Sequence, residues 1–297
     1  MMKQLINILS RTLSKEQAHL EAKFIVQELP KAEHISAAKR RSNNEPLQYI
    51  LGSQPFGPLD LKCMPGVLIP RNDTESWVMK LASFLPAHCN IWDFYTGSGC
   101  IGLTLASVAD QVKDVWCVDV SDAAIRLTNE NLKRNKEIIT PPVHIIKQNL
   151  LEKVFLPKCE GLKVLVANPP YIPQDKMNVE NGVEISVLKY EPDLALVGDL
   201  EHYSQLCNIV EKGEIDAWVF ELGYKSQADE VINKISKIKL EEGRFLHKPK
   251  WNTGLWFDDG NKLRCVVGWK RNGVIDLEHF CNDNQQEQNH SNKKNDV

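Results

Sequence analysis

The stretch VLVANPPYIP, residues 164–173, runs from a short apolar strand into Asn168-Pro169-Pro170-Tyr171. Two consecutive prolines remove two backbone donors and fix two φ angles, so the flanking Asn168 and Tyr171 stand on a stiff support. This set of groups suits methyl transfer to a planar nitrogen, whether a side-chain amide or an exocyclic amine. The lone pair of such a nitrogen is delocalised and attacks poorly. An acceptor on each N–H favours the pyramidal nitrogen of the transition state over the planar ground state. Asn168 Oδ1 supplies one acceptor and the Pro169 carbonyl the other, and their rigidity spares reorganisation. Tyr171 offers flat apolar surface to the planar group. No strong general base is needed, because the product sheds its proton after transfer. Asn168, Pro169 and Tyr171 are the candidate catalytic residues.

A second constellation lies upstream. TGSGCIG places Gly97, Gly99 and Gly102 in a G-x-G-x-x-G pattern between an expected strand and helix, and Asp119 ends the next strand about 20 residues on. Glycines allow close backbone approach to a ligand, and the acid accepts from ribose hydroxyls. A dinucleotide or S-adenosylmethionine would satisfy both. Two features favour S-adenosylmethionine. Asp93 lies just before the loop, where an acid meets the ammonium group of a cationic ligand. A dinucleotide site aims the positive end of a helix at an anion there, and an acid works against that. The Asn-Pro-Pro-Tyr tetrad, moreover, has no use in a dehydrogenase.

These residues need a scaffold, and the patterning supplies one. IWDFY, DVWCVDV, VHIIKQN, LKVLVAN and DAWVFELG read as strands. GCIGLTLASVA, SDAAIRLTNENLKRN (capped by Ser121), residues 200–212 and SQADEVINKIS read as helices between them, with a long loop over 171–198. Such alternation means a parallel sheet covered on both faces. A two-strand ending is expected through 244–270, and Trp251 and Trp256 pack its sheet end. The polar tail from Asn282 reads as disordered. Towards the N-terminus, Ser14-Lys15-Glu16-Gln17 has the spacing of a capping box, opening a helix whose Ala18, Ala22, Ile25, Val26 and Leu29 share a face. Residues 46–70, rich in Gly and Pro, read as a hairpin-like connector. The expected divisions are a helical module over 1–45, a connector over 46–75, a methyltransferase domain over 76–281 and a tail over 282–297.

Composition narrows the field. The 297 residues carry a net charge of −3, which disfavours nucleic acid as the direct partner. Eight cysteines without a C-x-x-C pair fit reduced thiols, and the eight histidines show no metal spacing. No apolar run approaches the roughly 18 residues of a membrane span. Residues 1–15 carry Lys3, Arg11 and Lys15 with no acid before Glu16, and Leu5, Ile8, Leu9 and Leu13 recur at helical spacing. They read either as a mitochondrial transit peptide or as an ordinary first helix.

Together, PGVLIPRNDTE (65–75), DFYTGSGCIG (93–102), VDVSDAAI (118–125), NPPYIP (168–173) and YEPDLALVGDLEHY (190–203) resemble the HemK/PrmC family. These are glutamine-N5 methyltransferases of peptide chain release factors. The likeness runs from about residue 18 to about 270. It implies an α/β, class I methyltransferase fold, Rossmann-like, with a mostly parallel seven-stranded sheet. It also implies S-adenosylmethionine as methyl donor and the GGQ glutamine of a class I release factor as substrate. The cofactor site would fall on Asp93, Tyr95, Thr96, Gly97, Ser98, Gly99, Asp119, Asn149, Leu150 and Asn168. The substrate side would be Asn168, Pro169, Pro170 and Tyr171 as a clamp, with Arg71, Thr74 and Glu75 as further substrate contacts; the segment that holds Arg71, Asp73, Thr74 and Glu75 would pack beside the cofactor.

The chain departs from the family pattern at two places in its motifs, and its N-terminal module is short. Tyr95 stands where the family has the first glycine of its loop, and a ring there crowds the methionine end of the cofactor unless it turns outward. Asn149 and Leu150 stand where an acid and often an aromatic are usual; Asn149 could accept from the adenine amino group without charge, and Leu150 could pack an adenine face. These changes suit a diverged organelle enzyme acting on a mitochondrial release factor. The competing readings are a nucleic-acid amino-methyltransferase on the same fold and a non-catalytic release-factor-binding module.

Overall fold

The computed structural model describes residues 1–109, 112–152, 154, 156–238 and 250–281. Its first three helices, α1 (Met2–Leu9), α2 (Lys15–Glu28) and α3 (His34–Ser42), form a small bundle. Ser14 caps α2 by accepting from the Gln17 backbone amide at 3.2 Å, as the spacing requires. The expected α2 face packs its Ala18, Ala22 and Ile25 against Leu5, Ile8 and Leu9 of α1 and Ala37 and Ala38 of α3. Residues 2–9 thus take the form of a packed helix whose apolar side closes the bundle. The polar sequence around α3 gave no such signal.

Next come α4 (Leu47–Leu51) and an antiparallel hairpin of β1 (Ser53–Phe56) and β2 (Leu59–Lys62), in register Ser53↔Lys62. A helix not foreseen in the sequence, α5 (Asn72–Ala82), leads into the alternating region. That region runs β3 (Asn90–Phe94), α6 (Cys100–Val108), β4 (Asp114–Asp119), α7 (Asp122–Arg134), β5 (Val143–Lys147) and β6 (Lys163–Ala167). The expected loop over 171–198 contains two short helices, α8 (Ile185–Tyr190) and α9 (Asp193–Leu196). After it follow α10 (Leu200–Lys212), β7 (Ala217–Glu221), α11 (Lys225–Ser236), β8 (Trp251–Phe257) and β9 (Leu263–Lys270). Residues 244–249 of the expected closing pair, and the tail from Asn282, lie outside the described residues.

The sheet order is β5-β4-β3-β6-β7-β9-β8. All pairings from β5 to β7 are parallel, and β9 is antiparallel to both its neighbours. This is the class I methyltransferase arrangement. Every residue of β3 and of β7 is buried, as a strand covered on both faces requires. One apolar cluster, with Trp77, Leu81, Leu103 and Phe280, fills one side of the sheet. The other holds Trp92, Tyr203, Leu206, Trp218 and Trp251. The hairpin is tied to α7 by side-chain amides: Asn131 Oδ1 accepts from the Lys62 amide at 2.7 Å, and Asn135 Oδ1 from that of Asp60 at 3.1 Å. Among the described residues no helix is long and apolar enough to cross a membrane.

Leu9 is fully buried in the N-terminal bundle. Leu9→Ala should destabilise that bundle by about 2–5 kcal/mol, read as faster amide exchange in α1–α3. Unchanged protection there would contradict the packing described.

Candidate functional site

The chain leaves β3 for β4 on one side of the sheet and β6 for β7 on the other, so the loops after β3 and β6 diverge and open a crevice. Register pairs Phe94 with Ala167, which sets the next residues, Tyr95 and Asn168, side by side at its edge. A cavity of about 260 Å³ lies there. Thr96, Gly97, Ser98, Asp119, Leu150, Asn168 and Pro170 line it, together with the apolar run Val67–Pro70.

The loop after β3 is built on left-handed backbone. Gly97 (φ 57°) and Gly99 (φ 83°) adopt a conformation that costs glycine nothing. Asp119 holds the loop from the neighbouring strand, its Oδ2 accepting from the Gly97 amide at 2.9 Å and its Oδ1 from the Ser121 amide at 2.9 Å. Each oxygen retains acceptor capacity for a ribose hydroxyl. Burial pushes this carboxyl above its ordinary value, against the pull of those amides.

Asp93 departs from expectation. It is fully buried and does not line the cavity. Its Oδ2 accepts from Thr96 Oγ1 at 2.5 Å and from the Gly102 amide at 2.9 Å. Gly102 makes this possible, because a Cβ there would come within 2.8 Å of that oxygen. The third glycine therefore brings α6 down onto Asp93, and the acid anchors the loop rather than meeting a ligand's ammonium. Burial raises its pKa to about 7.

Tyr95 keeps the backbone of the absent glycine, with φ at 59°. Its ring turns to α10, where it meets His202 edge to face at 5.4 Å, and its hydroxyl lies 3.2 Å from His202 Nδ1. Burial holds the imidazole below its ordinary pKa, so an uncharged ring shares this hydrogen bond with the tyrosine hydroxyl. Both residues line the cavity.

Leu150 lines the cavity as expected. Asn149 lines it too, but its amide is committed to its own turn: Oδ1 accepts from the Leu151 amide at 3.1 Å and Nδ2 donates to Glu152 at 2.9 Å. Gln148, which sequence reasoning missed, also lines the cavity, and its buried Nε2 has no partner among the described residues; Ser98 Oγ is in the same state. Such unsatisfied polar atoms fit a cavity meant for a polar ligand.

Of the segment 71–75, only Arg71 and Thr74 reach the cavity. Arg71 pairs with the buried Glu191 at 2.6 Å, and Glu191 also accepts from the Ile69 amide at 3.1 Å. Glu75 does not face the site; it accepts from the Gly57 amide at 2.8 Å, in the β1–β2 turn. Asp73 pairs with Arg264 at 2.5 Å. Thr74 Oγ1 binds Glu221 at 2.7 Å and receives Asn168 Nδ2 at 3.5 Å.

At the tetrad itself, no described donor reaches Asn168 Oδ1 or the Pro169 carbonyl. Asn168 and Pro170 line the cavity, whereas Pro169 and Tyr171 stand beside it. The Tyr171 carbonyl accepts from Gln227 Nε2 at 2.9 Å. Its ring packs closely against Gly223, where a Cβ would sit 2.7 Å from Cδ2. Gly198 packs as closely under the Pro170 carbonyl, at 2.5 Å for an added Cβ.

Two outcomes follow. Asp93 carries a folded-state pKa of about 7, above its unfolded value, so it binds more protons folded than unfolded across roughly pH 4 to 7. Its contribution is complete below that window and is lost as pH rises through it, with a slope of up to about 1.4 kcal/mol per pH unit. Denaturant melts should show the slope flattened in Asp93→Asn. Gly223→Ala should displace the Tyr171 ring and lower turnover about tenfold or more, the scale of a small misplacement, while ligand affinity at the Asp119 side holds.

Residues 73–188 match the family model described as Methyltransferase small domain. The chain is 39% identical over 271 residues to the Mitochondrial MRF1 N(5)-glutamine methyltransferase MTQ1 of Saccharomyces cerevisiae, covering 88% of this chain and 81% of that protein. It is 32% identical over 256 residues to the Probable MRF1 mitochondrial N(5)-glutamine methyltransferase mtq1 of Schizosaccharomyces pombe, covering 78% of each. To the Release factor glutamine methyltransferase of Lactococcus lactis it is 35% identical over 218 residues, 69% of this chain and 73% of that one. Among solved structures, the hMettl16 catalytic domain in complex with a MAT2A 3'UTR hairpin superposes with a TM-score of 0.56 at 16% identity, covering 81% and 84%, a likeness of fold alone. With its sheet order, glycine loop and tetrad in place, and with relatives matched over most of its length, this chain belongs to the release factor glutamine methyltransferase family.

Proposed function

We propose that this methyltransferase acts in mitochondria and moves the methyl group of S-adenosylmethionine to the side-chain amide nitrogen of the GGQ glutamine of a class I release factor. The observation that carries the reading is the pair of unclaimed acceptors, Asn168 Oδ1 and the Pro169 carbonyl, on adjacent residues at the cavity edge. A glutamine side chain presents two N–H groups on one planar nitrogen, which is what two fixed acceptors match. The names of the two fungal relatives support the mitochondrial setting.

S-adenosylmethionine, when bound, supplies an electrophilic methyl group on a sulfonium. Asp119 would hold its ribose hydroxyls, Leu150 and Val120 an adenine face, and Gln148 and Ser98 its remaining polar atoms. The turn through Thr96–Gly99 allows close approach of backbone, and the Tyr95–His202 pair walls one side. At the substrate, the acceptors draw on the two N–H groups, and the partial charge growing on nitrogen during attack strengthens both bonds. Tyr171, fixed against Gly223, would cover the flat amide. Arg71 and Thr74 would serve the substrate side only through what they hold: the former is pinned to Glu191 and the latter to Glu221.

The test is incubation of the purified chain with S-adenosylmethionine and a recombinant GGQ-bearing mitochondrial release factor, followed by mass spectrometry of the GGQ peptide. One methyl increment on the glutamine is expected, and Asn168→Ala should lower the rate by about 10²–10³, the scale seen when one preorganised polar contact to a transition state is deleted. An unmethylated glutamine, with cofactor binding intact by calorimetry, would overturn the assigned substrate.

A further inference from the structure

Glu221, the last residue of β7, is 3% exposed and faces no solvent. Its Oε2 receives two donors, Trp77 Nε1 at 2.7 Å and Thr74 Oγ1 at 2.7 Å. Both are themselves buried, Trp77 fully and Thr74 at 1% exposure. Thr74 in turn touches Asn168 Nδ2 at 3.5 Å, a long and weak polar contact. Three elements far apart in sequence, α5, β6 and β7, are thereby joined into one chain of contacts ending on the tetrad.

Counting protons along that chain fixes a direction. The indole nitrogen can only donate, so Oε2 must be an acceptor. With Glu221 ionised, Oε2 has no proton to give and accepts from Thr74 as well. The hydroxyl has a single proton, and it goes to Glu221. What remains on Thr74 Oγ1 is lone pairs, which can only accept. Asn168 must therefore offer Thr74 its NH₂ group, and its Oδ1 must face the other way, where no described residue donates to it. Turned over, the amide would set oxygen against oxygen at Thr74 and offer a donor to a substrate nitrogen that also donates.

We propose that Glu221, acting through Thr74, is a positioning residue that selects the productive orientation of the Asn168 amide. The inference rests on the reading of Asn168 as an acceptor for the substrate N–H. It assigns a task to a buried carboxylate that the tetrad's own sequence does not announce, and it moves Thr74 from substrate contact to orienting group.

The test uses the full chain with Thr74→Val, which keeps the side chain's shape and deletes its hydroxyl, and Thr74→Ser, which keeps the hydroxyl. Methyl transfer to the release factor is measured as kcat and KM, cofactor affinity by calorimetry, and folding by thermal melt. Thr74→Val should lower kcat by about 10–100-fold with KM and cofactor Kd within about twofold, and Thr74→Ser should recover most of kcat. Glu221→Leu should reproduce the loss, and the double variant should lose no more than the worse single one, since both break one relay. Glu221→Leu also strands the Trp77 N–H, so Thr74→Val decides the matter should Glu221→Leu fail to fold. Wild-type kcat in Thr74→Val, or equal losses in the Val and Ser variants, would overturn the relay. So would a fall in kcat matched by equal falls in cofactor affinity and melting temperature. Should Asn168→Ala be as active as wild type, the acceptor reading itself fails and the relay with it; an inactive Asn168→Ala beside a fully active Thr74→Val condemns the relay alone.

Discussion

The site depends on one buried carboxylate, Glu191. Its side chain is almost entirely withdrawn from water, and such a group is costly unless its oxygens are claimed. Arg71 claims one and the Ile69 amide the other. Because these partners lie some 120 residues upstream, the chain between the hairpin and α5 has to come back across the carboxyl ends of the strands to reach Glu191. That return carries Val67, Leu68, Ile69 and Pro70 to the cavity and lowers Thr74 onto Glu221. Without the pair, the cavity would keep its glycine loop and lose its opposite side.

Two further acids near the cavity show how burial sorts roles. Asp119 and Asp93 close neighbouring strands and both bind the same loop, one through the Gly97 amide and the other through the Gly102 amide and Thr96. Asp119 lies at the cavity and can serve a ligand. Asp93 lies beneath the loop and binds it through Oδ2, while its buried Oδ1 has no partner among the described residues. Spacing alone could not distinguish them, since both sit where an acid could meet a ligand. The distinction comes from Gly102, whose missing side chain lets α6 settle on Asp93.

The parallel strands are legible in the sequence, each within two residues of its expected bounds, because fully buried strands read as short apolar runs between turn residues. The tetrad and the glycine loop are legible for a related reason: prolines and glycines mark backbone requirements that are local. α3 and α5 are not legible, since one is polar and charged along most of its length and the other starts in a run of turn-like residues, Arg71 to Thr74. Nor are the orientations of Asp93, Asn149 and Glu75, each set by a neighbour that only the fold supplies. Gln148, His202 and Glu221 escape notice because nothing adjacent in sequence hints at their contacts, which span up to 147 residues.

Tyr95 separates the identity of a residue from the shape it must take. The loop demands a left-handed step at this point, and the chain makes it with a residue that finds the step uncomfortable. The discomfort is tolerated because the ring has somewhere to go: an imidazole on α10. Position 95 and position 202 are therefore a matched pair. Exchanging either alone leaves a misfit, either a strained backbone without its anchor or a histidine facing an open gap, so change at these two sites should be inherited together. A search that insists on glycine here would pass over a chain whose loop nonetheless keeps the glycine path.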